Sequence, residues 1–383
     1  MKKTVLTLLA VLTAAASAGA AVIPDFDGRP GAVLFLELSA PVPAASATSG
    51  SPAMREVFFP EKAVPPAFGI QELRGPSRGA ALSEEDRLAE FAFVTGKVET
   101  VYSHLEGKQK TYGFSYEALK ADYLRLVQEA GSAADYQGAV TAFIAAFRDP
   151  HTRVFFNKQR DRAQPQPPVT NALTEDGILI TRIATLSSRY EEAIKRGLEE
   201  SLELAKGAKA LVVDVRGNNG GNDAYTSYYL SRLTDHPVPT GKITIKISSE
   251  TLARYNGDLE EDPTRPGWTP WYSGQINPTG DSPFKGPVAF LIDGDCVSSC
   301  EGTAMRFKFS GMAKLYGAAT MGSSGYPVEI KLPYSSGSIY LSTWINHMPD
   351  DTPIEDHGIE PDVSVNPNEA LSAALADIRA AFN

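Results

Sequence analysis

The residue of this chain best placed to do chemistry is a serine where a buried strand gives way to a helix. Val288-Ala289-Phe290-Leu291-Ile292 reads as a buried strand, and Asp293-Gly294-Asp295-Cys296-Val297 then turns the chain. Ser298-Ser299-Cys300-Glu301 opens a helix that runs through Met305 and Phe307. A serine there faces the positive end of a helix, where free N–H groups point outward. Such groups can stabilise an oxyanion beside a nucleophile, which is what acyl transfer needs. The same position suits a plain helix cap, and the serine by itself favours the cap.

Three other units bear on that choice. A serine needs a general base, most often a histidine, and the chain has five: His104, His151, His236, His347 and His357. His151 stands out in Arg148-Asp149-Pro150-His151-Thr152, a boundary loop behind a helix-breaking proline. Asp214-Val215-Arg216-Gly217-Asn218-Asn219-Gly220-Gly221 follows a second apolar strand. Its glycines and asparagines suit an anion-binding nest, although a tight turn would also use them. It is neither a dinucleotide fingerprint nor a P-loop. Ile354-Glu355-Asp356-His357-Gly358-Ile359-Glu360-Pro361-Asp362 offers a carboxylate that could orient a histidine, or a charged surface turn. No G-x-S-x-G is present, so the usual nucleophile elbow is missing.

The elements that must position these residues are legible from periodicity. Residues 21–80 are rich in Pro, Gly, Ala and Ser and read as an irregular segment with one strand, Ala32 to Leu38. Over 81–150 the period turns helical. Ser83 with Asp86 resembles a capping box before an apolar face of Leu88, Phe91, Val94, Val98, Val101, Tyr102 and Leu105. A second helix follows Ser115, with Leu119, Tyr123, Leu126, Val127 and Ala130 inward. A third follows Ser132, with Tyr136, Val140, Phe143, Ile144 and Phe147 inward. Together they predict a helical bundle. Residues 151–383 alternate strands and helices: strands at Val154–Phe156, Gly177–Ile183, Ala210–Val215, Lys242–Ile247, Val288–Ile292, Lys314–Tyr316, Val328–Leu332 and Ile339–Ile345, and helices over Ser188–Ala205 and after Asn366. The fold class is mixed α/β, with a sheet covered by helices on both faces.

Composition narrows the setting. A net charge of -10 argues against nucleic-acid binding. Lys2 and Lys3, the apolar run Val5 to Leu12, and Ala18-Gly19-Ala20 form a secretory signal peptide over residues 1–20, cleaved near Ala20. The apolar run is too short to span a bilayer, so no stable membrane insertion is expected and the mature protein is secreted or periplasmic. The two cysteines, Cys296 and Cys300, bracket Ser298. Their spacing on a helical turn, about 6 Å between Cα atoms, permits a disulfide, with two buried thiols as the alternative. Neither a metal site nor a cofactor is expected.

Taken in order, Asp149-x-His151-Thr152, Asp214-x-Arg216-x-Asn218-x-Gly220-Gly221, Ser298-x-x-Glu301 and Glu355-x-x-Gly358-x-x-Pro361-Asp362 resemble the tail-specific, or C-terminal processing, serine peptidases. That family includes the tricorn core and the interphotoreceptor retinoid-binding repeats. The resemblance covers about Leu82 to Val365 and implies a crotonase- or ClpP-like core behind the helical bundle. It departs in two places. Processing members use a Ser–Lys dyad, and Ser323 stands in the lysine's place in Gly317–Gly325. The stretch from Phe156 to Gly177 is also too short for the PDZ domain that such members carry.

The resemblance therefore points to the tricorn-like Ser-His-Glu branch. Ser298 is the expected nucleophile, with Ser299 a rival one residue away. His151 is the expected base, and Glu355 would hold its other ring nitrogen. The N–H of Ser299, with that of Gly220 or Gly221, would form the oxyanion hole. Glu301 is expected to be structural. The implied activity is a secreted serine endopeptidase acting on protein or peptide substrates. The alternatives are a non-catalytic ligand-binding protein on the same fold and a thioester-processing enzyme, the latter disfavoured by export away from coenzyme A.

Overall fold

Three serines start the helical part as their spacing predicts. Ser83 Oγ accepts the Asp86 N–H at 3.0 Å to open α1 (Glu84–Val101). After α2 (Leu105–Tyr112), Ser115 accepts from Ala118 to open α3 (Tyr116–Glu129), and Ser132 from Asp135 to open α4 (Ala133–Ala145). The computed structural model describes residues 82–156, 167–281 and 283–382, besides a two-residue antiparallel ladder between β1 (Ala21–Val22) and β2 (Val33–Leu34). Of the strand expected over Ala32–Leu38, only Val33–Leu34 is described. The expected leader over residues 1–20 lies outside the described residues.

The inward faces of α1 and α4 follow their stripes. Phe91, Val94, Val98, Val101, Tyr136, Val140, Phe143, Ile144 and Phe147 are all buried. Two expectations change. Leu105 does not extend α1 but opens α2. Leu126 is 46% exposed, because Tyr116, Leu119, Tyr123, Val127 and Ala130 already fill the face of α3 at helical spacing.

The bundle shares its core with a three-stranded antiparallel sheet of order β11 (Val328–Lys331), β12 (Ser338–Leu341), β3 (Arg153–Phe155). Val154, Ile330, Ile339 and Leu341 are the residues that join it. The single strand expected at Ile339–Ile345 is in fact two. The chain leaves β12 at the buried Ser342 and Thr343 and enters β13 (Trp344–His347), which belongs to another sheet with β7 (Val238–Ile245) and β8 (Tyr272–Ile276), two strands separated in sequence by the short helix α7 (Ser249–Arg254).

The main sheet has six strands in the order β14 (Val363–Ser364), β10 (Ala313–Gly317), β9 (Val288–Ile292), β6 (Ala210–Asp214), β5 (Ile178–Ile183), β4 (Val169–Leu173). It is parallel except for β4 against β5. Side chains alternate between two cores. From β6 and β9, Leu211, Val213, Phe290 and Ile292 meet α5 (Glu191–Ala205), α6 (Ala224–Leu233) and α8 (Ser299–Phe309). Ala210, Val212, Ala289 and Leu291 meet α9 (Ala370–Ala381) on the opposite face. The two central strands are buried throughout, which is why they read as unbroken apolar runs.

Close approach of α5 to β4 gives a sign-specific test. An alanine Cβ at Gly197 would stand 2.5 Å from Val169 Cβ, whereas one at Gly96 in α1 meets nothing within 4 Å. Gly96→Ala should stabilise by about 1 kcal/mol through helix propensity. Gly197→Ala should instead destabilise by about 1–3 kcal/mol through overpacking. Urea unfolding of both variants checks the pair, and equal signs would contradict this packing.

Candidate active site

Three loops leave the carboxyl ends of adjacent parallel strands β6, β9 and β10, the usual place for a site in such a sheet. The loop after β6 is pinned by its polar residues. Asp214 clamps Arg216 through Oδ1 to Nε at 2.8 Å and Oδ2 to Nη2 at 2.7 Å. The buried Asn218 donates Nδ2–H to the Ile183 carbonyl at 3.0 Å and accepts the Gly220 N–H at 2.8 Å. Gly220 has φ 86°, and a Cβ there would lie 2.9 Å from Ser298 Cβ and 3.1 Å from Ser299 N. The glycine loop is thus pressed against the serine turn, a contact only glycine permits.

The turn after β9 carries Ser298 with φ 63° and ψ −125°. Helix-capping serines normally sit in the extended region. Ser83, Ser115, Ser132 and Ser248 in this chain do so, each accepting a backbone N–H. Ser298 does not, and a positive φ on a non-glycine residue is strain of about 1–3 kcal/mol. Cys296 and Cys300, both fully buried, are joined by a disulfide with Cα atoms 5.3 Å apart. It ties the turn to the first turn of α8.

Glu301, at the third position of α8, accepts four hydrogen bonds. Its Oε1 takes Thr320 Oγ1 and the Gly322 N–H, each at 2.7 Å. Its Oε2 takes the N–H groups of Ser298 and Ser323, each at 3.0 Å. Burial pushes its pKa up to about 7, and the four donors work against that shift. Glu301 therefore welds the loop after β10 to the serine turn, in keeping with the structural role expected of it.

His151 is buried at the end of the bundle, with its Nδ1 2.7 Å from Ser323 Oγ. Asp149 folds the loop around it: Oδ1 accepts the His151 N–H at 2.8 Å, and Oδ2 accepts from Thr152 Oγ1 at 2.8 Å and Ser342 Oγ at 2.7 Å. Burial lowers the His151 pKa to about 4, helped by Arg153 and His104 and opposed by Asp149. Ser298 meets the same residue from the other side, donating its N–H to the Ser323 carbonyl at 3.3 Å. Ser323 thus bridges Ser298 and His151.

Glu355 lies elsewhere than expected. Among the described residues no hydrogen bond or ion pair joins it to His151. Its Oε2 accepts the Ser324 N–H at 3.0 Å, and the buried Lys108 ammonium stands 2.6 Å from Oε1, an ion pair outside hydrogen-bond angles. Lys108 also reaches Asp356 at 2.6 Å. Burial alone would lower the Lys108 pKa, but the two carboxylates hold it raised and charged. With Lys108 as counterion, Glu355 fixes the strand of loop next to Ser323 rather than the imidazole. Lys108 escaped the sequence reading because it sits on α2, about 250 residues from Glu355, and His104 was one of five histidines with nothing local to single it out.

His104, Asp149 and Glu355 bring ligand atoms within 4.8 Å of one another, a metal-like spacing. Their chemistry does not fit a metal. His104 Nε2 faces the Ser324 carbonyl at 2.8 Å, so it carries the proton there, and Lys108 already supplies the positive charge.

For the oxyanion hole, the Gly220 N–H is spent on Asn218 Oδ1. The N–H groups of Ser299 and Gly221 have no hydrogen-bond acceptor among the described residues. The expected pair thus narrows to Ser299 and Gly221.

Residues 177–365 match the model of Peptidase family S41. The chain carries a family S41 peptidase core. By family, that core is of the serine type expected from the four motifs. A candidate peptidase from Parabacteroides merdae superposes with a TM-score of 0.61 at 17% identity, covering 78% of this chain and 97% of the other. Mature CPAF complexed with lactacystin superposes with a TM-score of 0.60 at 12% identity, covering 77% and 96%. These likenesses extend the shared fold beyond the matched core into the bundle. A Chlamydia pneumoniae protein is 26% identical, and the match spans 36% of this chain and 30% of that relative's length. No helix among the described residues is long and apolar enough to cross a membrane.

The Glu301 junction sets a stability prediction for the S41 core. Glu301→Gln keeps the shape but replaces one acceptor oxygen with an NH₂ group that faces two donors. The variant should lose about 2–4 kcal/mol in urea unfolding. A loss below about 1 kcal/mol would show that the four hydrogen bonds do not hold the loops together.

Proposed function

We propose that this chain is an exported serine endopeptidase that hydrolyses peptide bonds of protein or peptide substrates through an acyl-enzyme. Ser298 is its nucleophile and His151 its general base. The observation that carries this reading is the backbone of Ser298. Among the described residues, four other serines accept a backbone N–H as helix caps in relaxed, extended geometry, whereas Ser298 is held at φ 63° at a strand-to-helix turn. Strain kept at a strand-to-helix turn supports a nucleophile set out for attack.

The chemistry follows in two steps. Ser298 Oγ adds to the peptide carbonyl while His151 Nε2 accepts its proton. The carbonyl oxygen, now negative, is met by the N–H groups of Ser299 and Gly221 at the positive end of α8. The tetrahedral intermediate collapses, the amine leaves with the proton returned by His151, and water repeats the cycle on the ester. Glu355 acts at one remove, by fixing Ser324 beside the serine that touches His151.

Ser298→Ala should abolish casein cleavage, a loss on the order of 10⁴–10⁶-fold in kcat, and should also abolish fluorophosphonate labelling. Labelling that persists in the variant would move the nucleophile to Ser299. An unlabelled and inactive wild-type protein would favour a binding role for the fold.

The buried imidazole sets the pH profile. A base must be neutral to accept a proton, so activity is lost as pH falls through its pKa. An unperturbed histidine would place that limb near about 6.5. With burial, Arg153 and His104 lowering His151 to about 4, and only Asp149 opposing them, the acid limb of kcat/KM should lie below pH 5. A limb at 6.5 would mean that the working base is a solvated group.

A further inference from the structure

We infer that Ser323 is a positioning residue that fixes the tautomer of His151, leaving Nε2 as the free base. The inference rests on His151 being the base of the proposed peptidase. It concerns a residue that no catalytic expectation used.

The reasoning is a count of protons. Ser323 Oγ lies 2.7 Å from His151 Nδ1 and 3.5 Å from Asp149 Oδ1. A hydroxyl has one proton to donate and lone pairs with which to accept. An ionised carboxylate can only accept. If the Ser323 proton went to Nδ1, then Nε2 would carry the ring proton and could not act as a base. If it points to Asp149, at the outer edge of hydrogen-bond range, then Nδ1–H donates to Ser323 Oγ and Nε2 is left with its lone pair.

Asp149 decides between the two. It is buried, and its neighbours are donors throughout: the His151 N–H, Thr152 Oγ1 and Ser342 Oγ. Burial opposes its charge, but His104, His151 and these hydroxyls keep its pKa lowered. A buried anion attracts free hydroxyl protons nearby, and Ser323, within reach of Oδ1, supplies one of them. The hydroxyl is also held in place. Ser323 is fully buried, its N–H is bound by Glu301, and its carbonyl accepts from Ser298. The result is a relay from Asp149 through Ser323 to Nδ1, in which the chain's own serine does what a carboxylate does in a triad that contacts the imidazole directly.

Two measurements test this. Two-bond ¹H–¹⁵N spectra of wild-type protein labelled with ¹⁵N-histidine, at neutral pH, should show His151 protonated at Nδ1. Protonation at Nε2 would overturn the inference whatever the activity. Ser323→Ala should then give mixed tautomers at His151 and lower kcat about 10-fold or more, bounded above by the roughly 10²–10⁴-fold that base catalysis contributes in full. KM should stay within about 2-fold, and an unchanged thermal midpoint excludes a folding defect. Wild-type kcat in Ser323→Ala, with one tautomer retained, also overturns it. His151→Ala separates the two levels: if that variant stays active, the base assignment fails, while the wild-type spectrum still reports the Ser323 contact by itself.

Discussion

A buried carboxylate has to be satisfied by donors, and the active-site loops are arranged around the needs of Glu301. Among the described residues it has no ion-pair partner. Two separate stretches of chain therefore bring it an N–H from Ser298, two from Gly322 and Ser323, and the Thr320 hydroxyl. Its place in the first turn of α8 adds the favourable end of the helix dipole. Each donor alone is a modest contribution, but leaving any of them unmet in a dry interior is costly. The turn with Ser298 and the loop with Ser323 are consequently one rigid body.

The helical bundle contributes chemistry as well as cover. His151 and Asp149 hang from the end of α4, and Lys108 on α2 places an ammonium, 1% exposed, between Glu355 and Asp356. Ser103 and His104 bond the backbone at Ser342 and Ser324. Buried ion pairs add little net stability, because desolvation offsets most of the attraction. What Lys108 provides is place: it commits Glu355 to the loop side of the site and leaves the imidazole to Ser323.

Local patterns survived into the structure where the physics is local. The serine caps of α1, α3 and α4, the unbroken runs of β6 and β9, and the disulfide spacing of Cys296 and Cys300 depend on neighbours a few residues away. The close contact of Gly220 with Ser298 joins residues 78 apart, and the sequence offered for it only a glycine-rich loop that a tight turn would also use. What escaped the sequence depends on distant partners. The division of Ile339–Ile345 follows from Ser342 joining Asp149, and β4 and α6 have weak patterns of their own and form on the sheet edge and on α5. The expected contact of Glu355 with His151 failed for the same reason: sequence order cannot show that a lysine on α2 reaches the carboxylate first.

Strain at Ser298 is the last link, because strain persists only where the surroundings over-determine it. A capping serine gains from relaxing into the extended region, as four others here have done. Ser298 is prevented from doing so by constraints that arrive from different directions. Glu301 and the Ser323 carbonyl share its N–H, the Gly220 backbone crowds its Cβ, and the disulfide closes the turn from behind. Removing one of these still leaves the others in place. Energy spent on holding a hydroxyl in an unfavourable backbone state has no structural return, since a relaxed cap would serve the helix better. It does have a chemical one, because a nucleophile already held in its attacking position loses little further freedom on the way to the transition state.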